Sequence, residues 1–270
     1  MIRRGIGVQS YVSVGGGTDA DAQAFITAAG IADATQQSAI NTLVTDLKTY
    51  GVWTKMKAIY PFVGGTSSTH KWNLKDPRDL DAAFRLVFNG GWTHSSTGAL
   101  PNGTNGYADT FLTPSIVLST NSNGMGFYTS RANNETNIDV VNMGSYAGTT
   151  QVALITYNAA NLINARLNGS ITSVVESGLK GFFHAYRQSS TVTVIFNNST
   201  KKATANSGGT LPNWKVFLGN TTLNANTPYT DGYTRNDFRF AFIGDGLTDT
   251  EAANLYTAVQ AYQTSLNRQV

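Results

Sequence analysis

Hydrophobic positions along the chain change period twice. Between residues 21 and 50 they recur at helical spacing: Phe25, Ile26 and Ala29, then Ile40, Leu43, Val44 and Leu47. A one-sided apolar stripe of this kind predicts two amphipathic helices. Asp21 is placed to cap the first and Gly30 to end it. Asp33, three residues before Gln36, is placed to cap the second with a reciprocal side chain, and Gly51 to stop it. The apolar face of this hairpin is expected to pack on the rest of the chain, with docking between subunits as the other reading.

After Trp53 the period drops to two. Short apolar runs at 58–63, 84–88, 109–112, 126–129, 138–143, 151–157, 162–167, 181–187, 191–196, 214–218 and 238–243 predict strands. Asn102-Gly103, Asn105-Gly106, Asn168-Gly169 and Gly208-Gly209 supply the turns between them. Many short strands with regular turn signals predict a mainly β fold, a two-sheet antiparallel sandwich. Helical spacing returns at the end, where Thr248-Asp-Thr-Glu251 reads as a capping box and Ala252, Leu255, Tyr256, Val259 and Tyr262 share one face. At the other end residues 2–14 alternate loosely and Gly15-Gly-Gly17 interrupts them. The expected organisation is an N-terminal arm at 1–18, a helical hairpin at 19–52 and a β domain at 53–270.

Composition narrows the function. Charged residues are only 13% of the 270 and the net charge is +3, against a usual charged share of about 25%. No Lys/Arg cluster exceeds two residues, so nucleic acid is not an expected partner, because phosphate binding needs concentrated positive charge. The chain has no cysteine, which rules out disulfides and thiolate metal sites. Two early arginines lack a long apolar run behind them, and no run reaches membrane-spanning length. Neither a signal peptide nor membrane insertion is expected. The Asn-x-Ser/Thr triplets at Asn102, Asn134, Asn168 and Asn220 then read as turn chemistry.

Three segments carry a resemblance. Pro101-Asn-Gly-Thr-Asn-Gly-Tyr-Ala-Asp109 is a glycine turn leading into a strand that starts at an aromatic residue. Gly244-Asp-Gly-Leu-Thr-Asp-Thr-Glu-Ala-Ala-Asn-Leu-Tyr256 joins a strand to a capped helix. Between them Phe182 to Asn197 reads as a strand pair, with Asn197-Asn198 where an asparagine-glycine turn is usual. Over residues 80 to 262 the order resembles the concanavalin A-like, laminin-G-like jelly roll. Preceded by the helical segment 33–60, it also resembles virion proteins of tailed bacteriophages: head fibres, tail fibres or decoration proteins. That resemblance implies a virion location and contact with host surface glycans. The alternating arm has no partner strand adjacent in sequence, so it is expected either to join other virion proteins or a neighbouring copy, as a homo-oligomer, or to fold back on its own β domain as an edge strand.

The jelly roll also hosts glycoside hydrolases with a Glu-x-Asp-x-x-Glu strand. The corresponding segment here is Asn137-Ile-Asp-Val-Val-Asn142, and Glu135 is two positions out of register. A retaining glycosidase needs two carboxylates about 5 Å apart, so no catalytic residue is expected and Asp139 reads as structural. His70, His94 and His184 are far apart in sequence and lack metal-ligand spacing. Neither a nucleophile elbow nor a phosphate loop is present. Asp231, Asp237, Asp245 and Asp249 are loop acids of the kind jelly-roll lectins use for calcium, although Asp249 also suits a helix N-terminus. No cofactor is assigned. Trp92, Trp214, Tyr229 and Tyr233, with His94, fall in or beside predicted loops. Their rings would serve as sugar platforms or as anchors of loops to the core. The expected function is a non-enzymatic virion structural protein presenting a lectin-like domain, with a stand-alone carbohydrate-binding module as alternative and a glycan-degrading enzyme behind both.

Overall fold

The computed structural model describes residues 17–131, 139–157, 162–169, 171–175, 179–205, 208–223 and 225–270. The arm at 1–16, together with Asn134, Glu135 and Asn137, lies outside the described residues.

Helices α1 (Ala20–Ala29) and α2 (Ala34–Thr49) form the expected hairpin. Asp19, not Asp21, caps α1: its carboxylate accepts from Asp21 N at 2.9 Å, because Asp19 is still extended where Asp21 is already helical. Asp21 instead pairs with Lys48 at 2.7 Å. Asp33 caps α2 through Gln36 N, but Gln36 does not reciprocate: its Oε1 accepts from Gly64 N at 2.8 Å. A long-range contact has displaced the local one. Short helices α3 (Ser67–His70) and α4 (Pro114–Val117) lie in connections. Helix α5 (Asp249–Ser265) opens with both halves of its capping box made between Thr248 and Glu251.

Two sheets make the sandwich. The six-stranded one runs β1 (Met56–Tyr60), β17 (Phe240–Gly244), β6 (Asn123–Thr129), β11 (Gly181–Arg187), β12 (Thr193–Asn197) and β13 (Thr200–Ala205), antiparallel throughout. The nine-stranded one runs β10 (Thr172–Val175), β9 (Leu162–Leu167), β8 (Thr150–Tyr157), β7 (Asp139–Ala147), β14 (Phe217–Leu218), β5 (Tyr107–Asp109) and β2 (Val87–Asn89). Two further short strands, β15 (Thr221–Leu223) and β16 (Thr227–Pro228), complete it, and β15 pairs with β7 in parallel. A separate hairpin, β3 (Trp92–Ser95) and β4 (Gly98–Pro101), stands where the sequence read as loop. The predicted strands at 84–88 and 109–112 are shorter than expected, because Phe84 and Phe111 adopt left-handed φ of 58° and break the ladder.

Two apolar clusters explain the order of layers. One lies between the sheets, with Met125, Phe127, Phe183 and Ile195 facing Met143, Leu154, Ile163 and Leu167. The other joins Tyr128, Phe182, Tyr186, Phe240 and Phe242 on the opposite face of the six-stranded sheet to Phe25, Leu43, Leu47, Leu255 and Tyr262 of the helices. That sheet is therefore covered on both sides, and β6 and β11 are buried at every position. Gly126 in β6 follows from this crowding, since a Cβ there would lie 2.4 Å from the Phe242 ring. Arg268, buried at the end of the chain, locks α5 down by donating to the carbonyls of Phe62, Pro61 and Arg239 and to Gln263 Oε1. The helices cover the outer side of the six-stranded sheet.

Candidate functional site

Three hollows stand out among the described residues. One, about 370 Å³, is a groove between α2 and α5 lined by Tyr262 and by small side chains such as Ala34, Ser38, Thr42 and Ala261, with no charged group. A second, about 180 Å³, lies between the β3–β4 hairpin and Ser130, Arg131, Asp237 and Arg239. Its buried charge is already neutralised. Asp237 accepts from Arg239 Nε, Thr129 Oγ1, Ser130 N and Ser130 Oγ at 2.7–2.8 Å. Burial pushes this carboxyl up, but Arg239 and the two hydroxyls outweigh it and hold it below the usual carboxylate range.

The third, about 290 Å³, opens on the outer face of the nine-stranded sheet and differs in kind. Alternation along β8 and β9 sends Val152, Leu154, Ile163, Ala165 and Leu167 into the core. Gln151 and Arg166 therefore point outward. Register then assembles the site. Arg166 lies opposite Ala153, Ala153 opposite Gly144, and Gly144 beside Thr221 of β15. The middle of this rung carries nothing larger than a methyl group, so the sheet is hollowed there. Tyr146 pairs with Gln151 on an adjoining rung. Val141, Leu223 and Tyr229 complete the lining.

The polar ends of this cleft are not engaged by the protein. The side chains of Tyr146, Gln151, Arg166 and Tyr229 make no hydrogen bond or ion pair among the described residues. Arg166 Nε is enclosed and unpartnered, and so is Oδ1 of Asn164, two residues earlier on the same strand face. Rings, an aliphatic floor, an amide and a guanidinium converge with no carboxylate among them. Such a surface can bind by stacking and hydrogen bonding and has no acid–base pair.

The four aromatic candidates separate. Tyr229 lines the cleft. Tyr233 sits behind its edge, its backbone bridged to Val141, and burial and the nearby Tyr107 push its phenol up while an Asn220 hydrogen bond opposes them. Trp214 is half-buried before β14, its carbonyl accepting from Ser145 Oγ at 2.7 Å. Trp92 is on the β3–β4 hairpin, with Nε1 donating to the carbonyls of Asn89 and Tyr107 and its ring against Phe88, His94 and Phe238. These contacts give Trp92 an anchoring role. Tyr146, Gln151 and Arg166 were missed as site residues. Their signal was a polar or amphipathic side chain at the outward position of an otherwise apolar strand.

The remaining candidates are also placed. Asn142, at the last carboxylate position of the hydrolase motif, is fully buried, and its Oδ1 accepts from Thr234 Oγ1 and Asn236 Nδ2. Asn137 lies outside the described residues. His70 and His94, expected far apart, meet: their Nδ1 atoms are 2.9 Å apart. The fold joins them by packing α3 against β3, 24 residues later. Burial, His94 and the Arg268 cation lower His70 to about 3, and burial also lowers His94. His184 remains separate, in the layer under the helices. The four loop aspartates have protein partners or solvent: Asp245 pairs with Lys57, Asp249 with Lys201 and Gln188, Asp237 with Arg239, and Asp231 is exposed. Among the described residues no three His, Asp or Glu side chains converge as a metal site.

No family model matches the chain, and no curated protein matches it in sequence. Solved structures do match in fold. Domain 4 of AbnA, a GH43 extracellular arabinanase from Geobacillus stearothermophilus, solved in complex with arabinotriose, aligns at 13% identity over 74% of this chain and 98% of that domain, TM-score 0.50. The receptor binding domain of botulinum neurotoxin C/D mosaic serotype aligns at 10% identity over 76% of this chain and 51% of its own, TM-score 0.52. The binding domain of Paraclostridial Mosquitocidal Protein 1 aligns at 11% identity, 77% and 53% coverage, TM-score 0.52. This chain thus matches about half the length of the two toxin chains. The likeness is one of fold, and it bears out the mainly β sandwich expected from the sequence.

Proposed function

We propose that this chain is a non-catalytic glycan-binding domain and that the outer-sheet cleft is its binding site. The cleft carries the reading: tyrosine rings beside amide and guanidinium groups that make no hydrogen bond or ion pair among the described residues. Sugars offer apolar ring faces for stacking and hydroxyls for those polar groups. The arabinotriose complex of the AbnA domain adds support by analogy of fold. The buried amide at Asn142, where a hydrolase needs a carboxylate, argues against glycan cleavage.

The setting we propose is a bacteriophage virion appendage, with the N-terminal arm joining an oligomer of this chain to other virion proteins. The absence of cysteine, the low charge and the arm's alternating pattern before Gly15–Gly17 support it. A glycan array probed with the wild-type chain and with Tyr229→Ala tests the binding site. Loss of about tenfold in affinity with an unchanged melting temperature is expected. No signal on any glycan would defeat the reading. Immunogold electron microscopy of the source particle tests the setting, and a chain found only off the particle leaves a free carbohydrate-binding module.

A further inference from the structure

We infer that the outer-sheet cleft selects an acidic saccharide, one whose carboxylate or sulfate is received by Arg166. The inference rests on the glycan-binding reading and adds the charge of the ligand. It comes from what Arg166 lacks. Arg78, Arg85 and Arg239 bond to aspartates. Arg187 and Arg268 bond to backbone carbonyls. Arg166 has neither kind of partner among the described residues, although β8 and β10 stand on either side of its strand.

Its position is not that of a solvated surface arginine. Nε is enclosed, and Arg166 lines the cleft on the rung it shares with Ala153 and Gly144. An enclosed N–H without an acceptor is unfavourable in the free protein. The planar fork matches a carboxylate or sulfate edge, and charge-assisted bonds of this kind are about twice as strong as neutral ones. Among the described residues no Asp or Glu lines the cleft to repel an anion or to neutralise the cation first. The remaining lining has the chemistry for the rest of the sugar. Tyr146 and Tyr229 offer faces, Gln151 offers hydrogen bonds, and Val141 and Leu223 form an apolar floor. At about 290 Å³ the hollow sits at the small end of the ~300–1,000 Å³ range of ligand pockets, which suits a terminal sugar or a disaccharide.

The test is binding of the full chain to matched acidic and neutral glycans: uronates against their methyl esters, and sialylated or sulfated chains against the bare chains. Inorganic sulfate is titrated alongside. The acidic member is expected to bind about tenfold tighter or more, with the advantage shrinking as salt rises. In Arg166→Gln the preference should vanish while neutral binding survives, and Arg166→Lys should restore part of it. Both variants should melt with the wild type, because Arg166 makes no hydrogen bond or ion pair among the described residues; a clearly lower melting temperature would make it a structural residue and overturn the inference. Equal affinity for acidic and neutral partners overturns this inference alone. No binding to either overturns the glycan reading as well. Sulfate binding as tightly as the sulfated glycan would mark a free-anion site and refute the saccharide.

Discussion

Lowering the pH from 7 to 5 should destabilise this protein through two buried histidines, before its carboxylates contribute. His184 is fully buried, stacked between Phe182 and Phe196 at 4.4 and 5.1 Å. Its Nε2–H donates to Asn198 O at 2.8 Å, so Nδ1 is left to accept from Tyr186 OH at 2.7 Å. Burial lowers its pKa to about 3, with the Asn198 bond opposing, and His70 is likewise lowered to about 3. The unfolded chain titrates near 6.5. Between the two values the unfolded state binds the proton and the folded state does not. Stability is therefore full above about 6.5 and falls as pH drops toward 3. The loss from pH 7 to pH 5 is about 2 kcal/mol for each histidine, about 4 kcal/mol together, a large part of a typical ~5–15 kcal/mol. Depressed carboxylates such as Asp237 lose their contribution at lower pH, below their ordinary range near 4. Urea unfolding at pH 7 and pH 5 at fixed ionic strength measures the drop. His184→Gln keeps one donor and one acceptor and removes the titration, so its drop should be smaller by about 2 kcal/mol, whatever its stability at pH 7. A variant with the full wild-type drop would refute the assignment.

Four further outcomes follow from particular contacts. Arg268→Ala strips the Phe62 carbonyl of its guanidinium donor, and leaves those of Pro61 and Arg239 with Tyr262 OH and Gln263 Nε2 alone; it should cost about 3 kcal/mol in urea unfolding. Asn142→Ala removes the acceptor of Thr234 and Asn236 and should cost about 2 kcal/mol; glycan hydrolysis is expected from neither this variant nor the wild type, which a reducing-sugar assay checks. Gly126→Ala drives a methyl group into the Phe242 ring and should destabilise by about 1–3 kcal/mol. Thr248→Ala removes the hydroxyl that accepts from Glu251 N, while the Thr248 N–H keeps its bond to Glu251 Oε2, and should lower stability by about 1 kcal/mol.

The sequence by itself determined what rests on local rules. Period and caps placed α2 and α5 closely, because a stripe of apolar residues and a capping side chain act within a few residues. Strands β9 and β11 were legible end to end, since their apolar runs are bounded by turn residues. Tyr229 was read from the sequence as a loop aromatic, and the structure places it in the lining of the outer-sheet cleft. What tertiary structure decided is everything that depends on pairing across long separations. The β3–β4 hairpin read as loop because its residues, Trp92 to Pro101, follow no apolar alternation until Phe238 bonds to Ala99. His70 and His94 met only because α3 packs on that hairpin. The cleft itself depends on register. Arg166, Ala153, Gly144 and Thr221 come from four strands, and a slip of one residue would turn Arg166 into the core. Nothing within a strand's own sequence carries the identity of the residue opposite it, so the hollow and its unpaired cation exist only once the sheet has closed.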